Sequence, residues 1–278
     1  MKTLSRWTRL IFIALTASPS LAEMRYVWKE NPGVPTSPYT NGWASAATTI
    51  QDAVDVSADG DTVLVANGVY DGGGRIAPGD VTLRTRLVVT NAVTVASVNG
   101  PETTLIVGQP HSVMTYDGLG DNAIRGAYLA NGAVLSGFTV TNGFTRQTTS
   151  IVADDYCGGG IRCESDEATV TNCVIIGNMA AMRGGGIFQG TVVDCRIASN
   201  TVRTSNSNAG GGGIYGAAAR TSLIEKNRTL GTSTDGGGTY GCTLDRCMLR
   251  GNSAGRHGGG AYLSTAVSCM IESNSATQ

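Results

Sequence analysis

From residue 157 onward, apolar and polar positions alternate in short runs, such as Thr191-Val192-Val193 and Arg196-Ile197-Ala198, each closed by Gly, Asn, Asp or Ser. A period of two over so few positions predicts short, half-buried strands, and no unit there holds the 3.6-residue period a helix would need. One helix is predicted earlier. Across residues 47–56, Ile50, Ala53 and Val54 share one helical face while Gln51, Asp52 and Asp55 share the other. Asp59-Gly60-Asp61 then predicts a turn and Thr62-Val63-Leu64-Val65 a strand, with further strands over 87–95, 104–107 and 133–140.

The later strands recur. Triple glycines begin at Gly158, Gly184, Gly211, Gly236 and Gly258, in steps of 26, 27, 25 and 22 residues. Each precedes a β-type run that ends in Asn178, Asn200, Asn227, Asn252 or Asn274, and in the last four units the interval from first Gly to Asn is 16. Five residues before the Asn stands Cys173, Cys195, Cys247 or Cys269, with Ser222 once in that place. Two places after it comes Ile175, Ile197, Ile224, Leu249 or Ile271, and Phe138 and Val140 match the Cys and Ile places of an earlier unit.

A period this short without helical patterning predicts a coil of three short strands, each coil stacked in parallel on the next at ~4.8 Å. Ile187, Val192, Cys195 and Ile197 would fill the interior. Each repeat Asn would sit at a corner in the left-handed conformation and hydrogen-bond its equivalents above and below. Glycine suits tight corners and places where stacked backbones leave no room for a Cβ. The helix at 47–56 would cap the open end of the stack. The fold class expected is therefore all-β, a single-stranded right-handed parallel β-helix with an N-terminal amphipathic capping helix.

Composition narrows the compartment and the partners. Glycine is 39 of 278 residues, without the strict three-residue period of a collagen rod. With 20 Lys+Arg against 21 Asp+Glu, and Lys only at 2, 29 and 226, nothing marks a nucleic-acid surface. Lys2, Arg6 and Arg9, an apolar run over 10–15 and Ser20-Leu21-Ala22 form an export signal spanning 1–22. No mature stretch is long and apolar enough to span a bilayer. Residues 23–46 are assigned to an N-terminal extension and 47–278 to the solenoid. No cap can be read after Asn274, so a truncated C-terminus is expected, with a cap, anchor or sorting signal to follow Gln278. A secreted or outer-surface location follows. All seven Cys lie between 157 and 269, with no Cys-x-x-Cys pair, and His111 is far from His257, so no metal site is assigned. A disulfide is left open at Cys157–Cys163 or Cys242–Cys247.

These residues resemble a known group. The whole mature chain looks like a right-handed parallel β-helix of the pectin-lyase-like superfamily. The stretches Ile50-Gln51-Asp52-Ala53, Gly60-Asp61-Thr62-Val63 and Gly68-Val69-Tyr70 are similar to its usual N-terminal cap and first coil. Gly-Gly-Gly-Ile at 184–187 and 211–214, with Ile197-Ala198-Ser199-Asn200, resembles the Gly-Gly-Ala-Ile and Phe-x-x-Asn repeats of polymorphic outer-membrane proteins. The departures are Gly for Ala and Ile or Leu for Phe.

The superfamily resemblance implies that an enzyme would be a polysaccharide lyase, with a carboxylate cluster for Ca²⁺ and an Arg or Lys base, or a glycoside hydrolase. Asp154-Asp155 with Asp166 and Glu167, or the acidic loop 117–122, are the candidates for Ca²⁺. Asp154-Asp155 and His257-Gly258 are 102 residues apart, about four coils or ~20 Å, too far for one hydrolytic constellation. The residues just before each triple glycine, Cys157, Arg183, Gly210, Asp235 and His257, would stack along one edge, bringing Asp235, Arg256 and His257 together. The segments from each Asn to the next Gly vary as 5, 10, 8 and 5 residues, with Arg203 and Arg228 as candidate ligand-binding anchors. The function expected is an exported, non-catalytic stalk or binding protein of the cell envelope or surface, meeting carbohydrate or a cell-surface partner and needing no cofactor. The alternative is a polysaccharide-active enzyme, lyase before glycoside hydrolase, acting on acidic polysaccharide; Ca²⁺ belongs to it alone.

Overall fold

The computed structural model describes residues 21–113, 117–147, 154–204 and 206–278, with the backbone alone of Asp154. Nearly all of the leader assigned to 1–22 lies outside them. The described chain winds into stacked coils whose strands form four sheets of nine, eight, eight and five members. One coil shows the order. After Gly184–Gly186 come Ile187–Phe188 on the first face, Thr191–Val193 on the second, Arg196–Ala198 on the third and Thr201–Val202 on the fourth. Each strand pairs in parallel with its equivalent one coil on, as Ile197 does with Ile175 and Ile224. This is a parallel β-helix.

The fourth face is absent from the three-strand coil that the sequence pattern predicts. Its strands are only two residues long, directly after each repeat Asn, too short to show any period. Corners between faces are made by one or two residues of positive φ: Gly184, Gln189 with Gly190, Asp194 and Ser199 in one coil, and Gly211, Gly216, Thr221 and Lys226 in the next. The repeat Asn is not the left-handed residue. That geometry belongs to its predecessor, which leaves the Asn side chain pointing inward.

The interior is a set of columns. Val140, Ile175, Ile197, Ile224 and Leu249 are fully buried on the third face, as are Leu135, Val170, Val192 and Leu244 on the second. At ~25 cal/mol per Å² each such side chain contributes roughly 1.5–3 kcal/mol by leaving water. The amide column beside them is saturated. Asn178, Asn200 and Asn227 each donate Nδ2 to the next Asn Oδ1 at 3.0 Å and to the carbonyl of Val140, Ile175 or Ile197. Each Oδ1 also accepts the backbone N–H of the preceding Asn, or of Gly143 for Asn178. Buried amides carry no penalty when every donor and acceptor is met.

At the N-terminal end, Ile50–Asp55 is the predicted helix, capped by the Thr49 hydroxyl and burying Ile50, Ala53 and Val54. Two expectations need correction there. Met24–Val27, from the segment assigned to an extension, is the outermost strand of the second face and pairs in parallel with Thr62–Val65. Val27 enters the core and Arg25 pairs with buried Asp61, which fixes the strand in place. The strand expected over 87–95 is two strands, Arg84–Val89 and Thr94–Ser97, on different faces. Between them the Asp59 carboxylate accepts the Ala92 N–H and the Asn91 amide donates to the Ser57 carbonyl, forming a corner. Neither disulfide left open forms, since Cys163, Cys242 and Cys247 carry free thiols.

Candidate functional site on the first face

The edge predicted to align does align. Isolated parallel bridges link Cys157 to Arg183, Arg183 to Gly210 and Gly210 to Asp235, so the residues before the triple glycines form a column. Asp235 and His257 meet across adjacent coils, with His257 Nδ1 3.2 Å from Asp235 Oδ1 and the His257 N–H donating to the same oxygen at 3.1 Å. Arg256 forks the carboxylate from the other side, its Nε donating to Oδ1 at 2.9 Å and its Nη2 pairing with Oδ2. The Asp235 side chain is 1% exposed, against 47% for His257. Burial alone would push its carboxyl up, but the Arg256 hydrogen bonds, the His257 N–H and the nearby positive charge hold it below the ordinary carboxylate range.

Beside this column runs a row that was not read from the sequence. Phe188, Tyr215, Tyr240 and Tyr262 occupy one outward position of the first face, paired in register from coil to coil. Their rings touch in series: Phe188 stacks on Tyr215 with centroids 5.7 Å apart and Tyr215 on Tyr240 at 4.8 Å, while Tyr240 meets Tyr262 at 5.2 Å with the planes tilted by 56°. The Arg183 guanidinium lies 5.0 Å from the Tyr215 centroid, and His257 stacks on Tyr262 at 6.0 Å. The signal was available, because each of these residues stands four places after the first Gly of its triplet, where Arg162 stands in the earlier unit. The faces of Tyr215 and Tyr240 are spent largely on one another. A ligand here would meet ring edges, hydroxyls, the cations of Arg183 and Arg256 and the His257 imidazole rather than a flat aromatic platform.

The remaining candidates do not join this edge. Asp155 is buried and accepts the N–H groups of Val81 and Thr82 at 2.8 and 3.2 Å and the Arg146 guanidinium at 3.3 Å. Burial would raise its carboxyl, but the Val81 and Thr82 N–H groups and side-chain hydrogen bonds with Arg146 and Asp80 hold it below the ordinary carboxylate range. It tethers the segment that lies over the early coils. Asp154's side chain is outside the description. Asp166 and Glu167 lie at the corner between first and second faces, whereas Asp155 precedes the first face, so the acidic pairs sit at different corners. Among the described residues no group of three His, Cys, Asp or Glu side chains is placed to hold a metal ion. Arg203 is paired with Asp117 at 2.5 Å, and Arg228 donates to the Thr201 hydroxyl at 3.3 Å; neither contacts the edge column.

No protein-family model matches the chain, and no curated protein matches it. A crystal structure of Escherichia coli YbhC is similar at 12% identity and a TM-score of 0.41, over 96% of this chain and 75% of that one. No described helix is long and apolar enough to cross a membrane.

Proposed function

We propose that the chain is an exported β-helix of the cell envelope or surface that binds without catalysis, its first-face edge meeting an acidic polysaccharide. The observation that carries this is the state of Asp235. It is the one carboxylate in contact with Arg256 and His257 among the described residues, and it is buried, its charge met by Arg256 and its Oδ1 accepting the His257 N–H. Inverting hydrolysis needs a second carboxyl ~6.5–9.5 Å away with room for water, and a Ca²⁺-assisted lyase needs several unengaged carboxylates. What the edge offers instead is one surplus positive charge, since Arg183 and Arg256 face the single carboxylate of Asp235, along a rigid row of rings. That surplus suits carboxylates repeated along a glycan. Export is supported by the positively charged, apolar leader pattern of residues 1–22.

A second reading, a polysaccharide-active enzyme, draws on the convergence of Asp235, Arg256 and His257. One assay separates the two. The chain is incubated with a panel of acidic polysaccharides, with and without Ca²⁺, while unsaturated products, reducing ends and gel retardation are followed. The expected result is retardation of a polyuronate, weakened several-fold by Arg183→Ala, with no product in either condition. Release of unsaturated product would establish a lyase and overturn the binding role.

A further inference from the structure

At the opposite end from Tyr262, a cavity of about 300 Å³ lies between the capping helix and the first coil. Its floor is apolar and drawn from the core: Ile50, Tyr70, Leu87 and Ile106. Its mouth is the glycine turn 72–74. Arg86 lines it and is 8% exposed. The guanidinium donates Nε to the Val107 carbonyl at 2.7 Å and Nη1 to the Gly73 carbonyl at 2.5 Å. It forms no ion pair with a carboxylate among the described residues. The other deeply buried arginines behave differently, since Arg25 pairs with Asp61 and Arg125 with Asp80.

A buried guanidinium without a counter-ion is costly, and proteins rarely keep one unless something supplies the charge. The neighbouring charges offset it only in part: Asp71 lies near enough to favour the Arg86 charge but is bound to Lys29 at 2.8 Å, Arg75 is paired with Asp55 at 2.5 Å, and Asp52 lines the same cavity. We propose that this cavity is a binding site for a small monocarboxylate with an apolar body, of aromatic or short-chain aliphatic type, whose carboxylate faces Arg86. One guanidinium with two donors already committed matches a single carboxylate better than a phosphate, which asks for more donors. The apolar floor would bury the ligand's body, as small-molecule pockets of this size do. The site is separate from the first-face edge and independent of its proposed role.

Benzoate is the probe, titrated calorimetrically into the full chain with benzyl alcohol as its uncharged counterpart. Saturable one-to-one binding of benzoate is expected, at least tenfold tighter than that of benzyl alcohol. Arg86→Met should erase the preference. Because Arg86 also ties down Gly73 and Val107, a second variant guards against misfolding: a side chain at Gly72 meets nothing within 4 Å and the backbone there is ordinary. Gly72 lines the cavity, so Gly72→Leu adds bulk at its wall without displacing a neighbour; it should keep the native circular dichroism and weaken benzoate at least tenfold. Equal affinity for the two probes, no saturable binding, or undiminished binding by folded Gly72→Leu would overturn the site.

Discussion

Cys195 behaves less like an apolar filler than like a hydroxyl. Its thiol accepts the Cys173 N–H at 3.4 Å and donates to the Val193 carbonyl at 3.2 Å. One coil on, the Ser222 hydroxyl accepts the Cys195 N–H at 3.1 Å and donates to the Arg220 carbonyl at 2.7 Å. The column thus satisfies one corner N–H per coil, which is why Ser can stand among Cys. A second column uses the same device, with the Ser264 hydroxyl accepting the Cys242 N–H at 3.1 Å. Burial pushes the Cys163 thiol up to about 12 and that of Cys242 to about 11, which makes these two poor nucleophiles. Cys195→Ser should change unfolding free energy by less than ~1 kcal/mol, whereas Cys195→Ala leaves the Cys173 N–H buried and unpaired and should cost about 1–3 kcal/mol. Urea denaturation followed by circular dichroism distinguishes them. The spacing from Cys to Asn made this column legible in the sequence, but its chemistry was read as apolar. Ser222 was the residue that could have corrected it.

In the coil, the three glycines of a triplet do different things. Gly184 holds φ at 59°, so it is a corner by conformation. Gly185 is ruled by space, because a Cβ there would lie 2.4 Å from the carbonyl oxygens of both Gly212 and Thr201. Gly186 makes room for the amide column, its Cβ position being 2.9 Å from Asn200 Nδ2. The triple glycine and the asparagine are therefore two halves of one motif, which explains their fixed interval. Gly251 contrasts with them, having φ of 62° but only Lys226 Cγ nearby, at 3.7 Å. Gly251→Ala should cost only the left-handed strain of roughly 1–2 kcal/mol, while Gly185→Ala should cost about 3 kcal/mol or more through forced coil separation, as read by thermal unfolding. Fixed spacing is what made the stack, its cap and the edge through Arg183, Asp235 and His257 readable. What escaped had no spacing to betray it: the two-residue fourth face, the pairing of Met24–Val27 with a strand far along the chain, and the Arg86 cavity. Those depend on contacts between residues tens of positions apart, set by how coils close.

Across the whole molecule, stability is divided largely among neighbours, because the strands of each coil pair only with those of the coils beside it. Side chains that are equivalent by register are therefore not equivalent in energy. Ile197 is fully buried between Ile175 and Ile224, whereas Ile271, at the same position of the coil ending at Ser275–Ala276, is 50% exposed. Leu263, Val267 and Met270 are exposed with it, so that this end face is apolar while the other is covered by the helix. Ile197→Ala should open a cavity with packed walls on every side and cost about 2–5 kcal/mol. Ile271→Ala removes methyl groups already half in water, and its cost should stay below ~1 kcal/mol. Chemical denaturation of both variants at several protein concentrations gives the comparison. A concentration-dependent loss in Ile271→Ala as large as that of Ile197→Ala would mean that the end face is covered in solution by another copy.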